Sequence, residues 1–276
     1  MAQAGDHMSA ARRFGVAVVA VLGVAALGVG VAAATTAAAA GVGGAEAGSS
    51  AAAIVDARLS PSSDRDVSAD AAVRATPVAT PDAIDPHSIA ARADAAWVER
   101  TARLTSIPPR ALAAYAGAAL AVADTYPGCG LGWNTLAGIG WVETHHGTIF
   151  AGAITASGRA EPEIIGIPLN GDGTLVIRDT DAGALDGDAV WDRAVGPMQF
   201  IPSTWALSGV DGSGDGIADP HHIDDAALSA AQYLCGAGGD LTDPQRWIAA
   251  VDAYNPNLDY NHAVAERARF YAALAS

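Results

Sequence analysis

Cys129 and Cys235 are the only cysteines in this 276-residue chain. Both stand well past an opening segment that reads as an export signal, and in an oxidising compartment an isolated pair is most simply a disulfide. If joined, they would close a loop of about 106 residues, a constraint worth roughly 4–5 kcal/mol in the chain-entropy model. Everything between them must then leave one point of the fold and return to it. Two buried free thiols are the alternative.

The export reading rests on the N-terminus. After Arg12 and Arg13 the chain runs uncharged from Phe14 to Ala45, first as "FGVAVVAVLGVAALGVGVAAA" and then through small residues offering Ala-x-Ala cleavage sites. Residues 1–40 are therefore expected to be a signal peptide or an N-terminal membrane anchor, because the run is also just long enough to span a bilayer. Residues 41–87, with stretches such as "ATPVATPDAIDP", are expected to be an Ala/Pro/Asp-rich linker unable to bury enough apolar surface to order itself. A folded domain is expected over 88–276.

That domain reads as mainly α. Apolar residues make up 51% of the chain but aromatics only 6%, so close helix packing through alanine and glycine is expected. "SIAARADAAWVERTARL" and "IPPRALAAYAGAALAVADTYPG" read as two helices, the second with prolines at its start and Pro-Gly at its end. A third is expected from about Trp133 to His145, and four more follow Pro202. Between them, 147–190 is rich in glycine and aspartate, and "PLNGDGTLVIRDTD" suggests a small β insertion with a turn at Asn170–Gly173.

Charge excludes some partners. All 15 basic residues are arginines, set against 30 acids, for a net charge of -15. Nucleic acid and docking on anionic lipid through a basic patch both need clustered positive charge and are not expected. Membrane contact is expected only through an N-terminal anchor.

Three stretches carry candidate chemistry. In "AGIGWVETHHG", Glu143 shares a helix stripe with Leu136, Ile139 and Gly140 that should turn inward. A carboxyl against apolar surface has its charged form disfavoured and can stay protonated near neutrality, as a general acid must. A helix-end glutamate facing solvent or an arginine is the competing reading. In "DRAVGPMQFIPSTW", a Gly-Pro turn offers Met198, Gln199 and Phe200 as a groove lining. In "AVDAYNPN", Tyr254 and Asn255 end a helix, where an ordinary cap is the competing reading.

Together and in this order, "VETHHG", "VGPMQFIPSTW" and "AYNPN" resemble the lytic murein transglycosylases, in the branch akin to membrane-bound lytic transglycosylase B of actinobacteria. The resemblance covers about residues 88–276. It implies a lysozyme-like, goose-type α domain that cleaves the β-1,4 bond between N-acetylmuramic acid and N-acetylglucosamine in peptidoglycan. It makes Glu143 the acid and later base, Met198, Gln199 and Phe200 a saccharide lining, and Tyr254 and Asn255 residues that position the sugar. The product would end in 1,6-anhydromuramic acid. A muramidase hydrolysing the same bond stays open through Asp186, Asp188 or Asp192, as does a catalytically silent wall-binding module. An exported monomer working on glycan strands is expected.

A fourth stretch, "DGSGDGIADPHHIDD", places Asp211, Ser213, Asp215 and Gly216 at the first, third, fifth and sixth positions of an EF-hand loop, with the carbonyl of Ile217 at the seventh. His222 stands where the bidentate glutamate belongs, and Asp225 opens the next helix. A structural calcium is one reading; an Asp-Gly turn whose acids cap that helix is the other. Glu-Thr-His-His lacks the histidine spacing of a zinc helix, so no catalytic cofactor is expected.

Overall fold

The computed structural model describes residues 84–276. The expected signal or anchor, and nearly all of the expected linker, lie outside the described residues. Among the described residues no helix is long and apolar enough to cross a membrane.

Seven helices and four short strands make up the domain. A 3-10 turn at Ile89–Arg92 leads to α1 (Ala95–Thr105), α2 (Pro109–Thr125) and α3 (Trp133–Thr144). The insertion follows, with β1 (Ala153–Ile154), β2 (Ala160–Glu161), β3 (Ile165–Pro168) and β4 (Arg193–Val195). The chain then returns to helix with α4 (Pro202–Ser208), α5 (Ile223–Gly238), α6 (Pro244–Tyr254) and α7 (Leu258–Leu274). This is the mainly α class with a small β component. The first expected helix is in fact two pieces, because the Asp94 side chain accepts from the Trp97 N–H and starts α1 afresh.

Helix α2 is the core's axis: Ala111, Leu112, Ala114, Tyr115 and Ala118 are all fully buried. It lies against the 3-10 turn, α3 and α5. Small residues bring α3 close to its neighbours, as the alanine-rich composition implies. A Cβ on Gly138 would stand 2.9 Å from the Val264 carbonyl oxygen of α7, and one on Gly140 would stand 2.1 Å from the Tyr115 hydroxyl. Both clashes mark places where only glycine lets the backbone in.

The helices are tied at two points. Cys129 and Cys235 form a disulfide between the segment before α3 and the last turns of α5. Arg110 at the start of α2 donates two 2.6 Å hydrogen bonds to the fully buried carboxylate of Asp224 at the start of α5. Ser88 donates to the same carboxylate, and Arg110 Nε reaches the Ala156 carbonyl at 3.0 Å. A charge buried this way is tolerated because it is paired and hydrogen-bonded at once.

The insertion is two antiparallel ribbons. β1 pairs with β2 through Ala153↔Glu161 and Ile154↔Ala160, and β3 pairs with β4 through Ile165↔Val195 and Pro168↔Arg193. The expected turn is present: Asn170 pairs across with Val176, and its side chain accepts from the Asp172 N–H at 3.0 Å. The first ribbon docks on the loop before α5, where Ala160 N–H donates to the His221 carbonyl at 2.8 Å.

Candidate active site

Glu143 sits in the last turn of α3, which ends because His145 takes a left-handed conformation with φ of 49°. Leu136 and Ile139 on the same stripe are fully buried, so the stripe turns inward as its spacing implies. Glu143 is half-buried. The Tyr260 hydroxyl donates to its Oε1 at 2.7 Å. Burial raises the Glu143 pKa from 4.5 to about 8, and the hydrogen bond from Tyr260 pulls against that rise. A carboxyl in this state carries its proton at neutral pH.

Two hydrogen bonds tie down this helix end, and a third joins the stretches packed beside it. Thr144 Oγ1 donates to the Pro197 carbonyl at 2.7 Å and accepts from the Gly147 N–H at 2.8 Å. The Tyr254 hydroxyl donates to the Met198 carbonyl at 2.8 Å. Thus "VETHHG", "GPMQF" and "AYNPN", far apart in sequence, meet around Glu143 and its tyrosine.

The turn at 195–200 is a closed hairpin in which Val195 and Phe200 exchange backbone hydrogen bonds of 2.8 and 3.0 Å. Gly196 makes it fit: its φ is 78°, and a Cβ would stand 1.8 Å from the Pro220 carbonyl oxygen. The side chains do not point where the groove reading puts them. Met198 and Phe200 are fully buried in the core, Phe200 edge-on to Trp205 at 5.2 Å. Gln199 is buried too, its Nε2 donating to the Gly196 carbonyl at 3.0 Å. In this structure all three side chains are buried, on the inner side of a hairpin closed by its own backbone pairing.

Tyr254 is buried in the same core, near enough to Glu143 for that carboxyl to help raise its pKa well above 10.0, behind the effect of burial. Its hydroxyl is occupied by Met198. Asn255 is buried and caps the C-terminus of α6. The residue that touches Glu143 is Tyr260, which the sequence reading passed over. A signal for it was present: Asn257 caps α7 by accepting from the Tyr260 N–H at 3.0 Å, and Tyr260, Val264, Ala268 and Tyr271 form one buried stripe.

His146 is buried between two tyrosines, its Nε2 at 2.8 Å from the Tyr271 hydroxyl and its Nδ1 at 3.3 Å from Tyr115. Burial first, then the charges of His145 and Arg267, lower its pKa to about 3, so it stays neutral and serves packing.

The aspartates of the insertion are bound up locally. Asp188 pairs with Arg193 at 2.9 Å, Asp186 accepts from the Arg193 N–H at 2.6 Å, and fully buried Asp192 accepts from Thr180 N–H and hydroxyl. None of them hydrogen-bonds Glu143. Among the described residues, the acids whose ligand atoms lie within 4.8 Å of one another are Asp179, Asp181 and Asp192, and not those of the 211–225 loop. In that loop Asp211 accepts from the N–H groups of Gly214 and Gly216, Asp215 from Ile217, and Asp225 from Gly212, Ser213 and Asp219. A groove of about 680 Å³ lies elsewhere, between α6, α7 and the start of α3, and Glu143 is not among the residues that line it.

Among known proteins the chain has one family match. Residues 175–275 match the family described as the transglycosylase SLT domain. No curated protein and no solved structure matches the chain. The match spans "GPMQF", the calcium-like loop, "AYNPN" and Tyr260, and stops short of Glu143. It supports a transglycosylase, and the seven-helix architecture agrees with the lysozyme-like fold of SLT domains. The catalytic part assigned to Glu143 rests on the geometry above.

Proposed function

We propose that this protein is a peptidoglycan lytic transglycosylase of the membrane-bound lytic transglycosylase B-like, actinobacterial branch, acting with Glu143 as its single acid and base. The observation that carries the reading is the Glu143 carboxyl, protonated at neutral pH by burial, hydrogen-bonded by Tyr260 and, among the described residues, with no second carboxylate bonded to it. The SLT-domain match supports the substrate class. A glycosidase that pairs two carboxylates across the bond needs its second acid within about 5–10 Å. Asp186, Asp188 and Asp192 are each held by hydrogen bonds or an ion pair inside the insertion, and none is bonded to Glu143.

In the proposed reaction Glu143 protonates the leaving oxygen while the substrate's 2-acetamido group supports the cationic centre. The deprotonated Glu143 then takes the proton of the muramyl 6-hydroxyl as that oxygen closes on C1. Tyr260 steadies Glu143 in its charged interval. The test is incubation of the full chain with purified sacculi and mass spectrometry of what is released. Soluble muropeptides ending in 1,6-anhydromuramic acid are expected; binding to sacculi with no release would make the protein a wall-binding module instead.

The pH profile is a further expectation. A step needing protonated Glu143 holds through neutrality and falls as the pH passes about 8. The Tyr260 hydrogen bond lowers that pKa, so Tyr260→Phe should move the alkaline fall to higher pH. A shift to lower pH, or none, would separate Tyr260 from Glu143.

The same reading takes 1–40 as an export signal or anchor, 41–87 as a linker and 88–276 as the catalytic domain of a monomer at work in cell-wall remodelling. It also carries a structural calcium held by Asp211, Ser213, Asp215, Ile217 and Asp225. Calcium should raise the melting temperature and a chelator lower it; identical melting in both would leave the loop closed by its own hydrogen bonds alone.

A further inference from the structure

The groove of about 680 Å³ between α6, α7 and the start of α3 has apolar walls, with Trp247, Ile248 and Leu258 among the residues that form them. On α7 its lining includes Leu258, Asn261, Ala265, Arg269 and Ala272, in steps of three or four residues that keep to one face of the helix. Ile248 and Leu258 are 48% and 69% exposed, so this second face of α7 is apolar and open to water.

Asn261 sets what must cover it. The residue is only 8% exposed, and its Nδ2 donates to the Asp252 carboxylate at 3.1 Å. A carboxylate accepts and does not donate, so that bond fixes the amide's orientation and leaves Oδ1 a buried acceptor with no donor. Such an acceptor costs free energy until a donor reaches it. Two charges in the same lining are also unmatched: among the described residues neither Asp252 nor Arg269 belongs to an ion pair.

The α7 stripe is symmetric about Ala265. Leu258 and Ala272 stand seven residues to either side of it, and Asn261 and Arg269 four. Turned end for end on itself, the stripe lays large Leu258 on small Ala272, Ala265 on Ala265, and the Arg269 guanidinium over Asn261 and Asp252. A surface that complements itself in this way is what a two-fold contact between identical chains requires.

We propose that the groove takes a second copy of this chain, packed α7 against antiparallel α7, with each copy's Arg269 donating to Asn261 Oδ1 and pairing with Asp252 of the other. A contact confined to one groove is small, and two chains of net charge -15 repel, so the single chain prevails in dilute solution. Glu143 lines no part of the groove, and the proposal stands independently of its role.

Sedimentation velocity of the full chain from about 1 μM to about 1 mM tests it. The wild type should pass from monomer toward dimer across that range. Asp252→Arg alone and Arg269→Asp alone each set like charges against one another at both ends of the contact, and each should lower the association constant about tenfold or more. An equal mixture of the two variants puts opposite charges back at both ends and should associate within about threefold of wild type. Association through any other part of the chain would show no such rescue. Ala265→Glu, which sets a charge on the axis against its own copy, should also keep the chain monomeric; with Arg269→Asp it decides the matter if Asp252→Arg unfolds by releasing Asn261. A wild type monomeric throughout, association equal in all variants, or a mixture of folded variants no better than its components would overturn the proposal.

Discussion

Glu143→Gln should lower the turnover of glycan by about 10³-fold or more while leaving the fold and glycan binding in place, since removing a positioned acid and base forfeits both proton transfers. The amide keeps the size of the side chain and can still accept from Tyr260. Its effect on stability should depend on pH in a defined direction. Glu143 has a folded pKa of about 8, above its ordinary 4.5. A group raised in this way favours the fold fully below 4.5, and that contribution is lost as the pH rises through the folded value. Glutamine never ionises. Wild type and variant should therefore melt together below about pH 4.5, and the variant should become progressively the more stable of the two as the pH rises from there to about 8. Melting curves across that range, beside the turnover assay, check both halves. Equal melting at all pH values would mean that the carboxyl is solvated, and the physical case for a general acid would fall with it.

The second large effect concerns the disulfide. Cys129 and Cys235 are 106 positions apart and both are buried. The double variant Cys129→Ala, Cys235→Ala should lose about 4–5 kcal/mol of unfolding free energy in urea denaturation, chiefly because the unfolded chain regains the freedom of that long loop. A loss under about 1 kcal/mol would place the stability in the packing of α2 and α5. The bond also bears on the site. It fixes the segment that leads into α3, and the Leu241 N–H donates to the Cys129 carbonyl at 2.7 Å. Loosening it should let the start of α3 drift relative to α5, so catalytic turnover should fall before global unfolding is reached.

Much of this was legible in the sequence, and the exceptions have physical reasons. Helix α2 announced itself by prolines at its first turn and Pro-Gly beyond its last, and α6 by Asp243 before Pro244, whose side chain accepts from the N–H groups of Gln245 and Arg246. The stripe Leu136, Ile139, Gly140 and Glu143 points inward as periodicity implies. Asp94 was read as a helix interior because composition around it is helical, yet its side chain caps α1, and local hydrogen bonding overrode the run.

Side-chain direction in the 195–200 hairpin was not legible. Polar and aromatic residues in a Gly-Pro turn suit a groove equally well from in front or behind, and the Val195–Phe200 pairing that closes the hairpin is a contact whose facing no local pattern encodes. Tyr260 lies beyond the aromatic and amide of "AYNPN", on the next helix, where no local motif marks it. Tyr254 spends its hydroxyl on the backbone of Met198, and the next helix supplies the group that reaches Glu143. The 211–225 loop has the letters of a cation loop and carboxylates that accept backbone N–H groups, and the melting measurement with calcium and chelator decides between the two readings.

The most direct measurement is the isotopic content of the cut end. Sacculi are digested by the full chain in water enriched in heavy oxygen, and the released muropeptides are weighed. A transglycosylase with Glu143 as its one acid and base closes the ring with the sugar's own hydroxyl, so the products should lack one water and carry no heavy oxygen. Reducing ends carrying one heavy oxygen would contradict that account and require a second group to activate water.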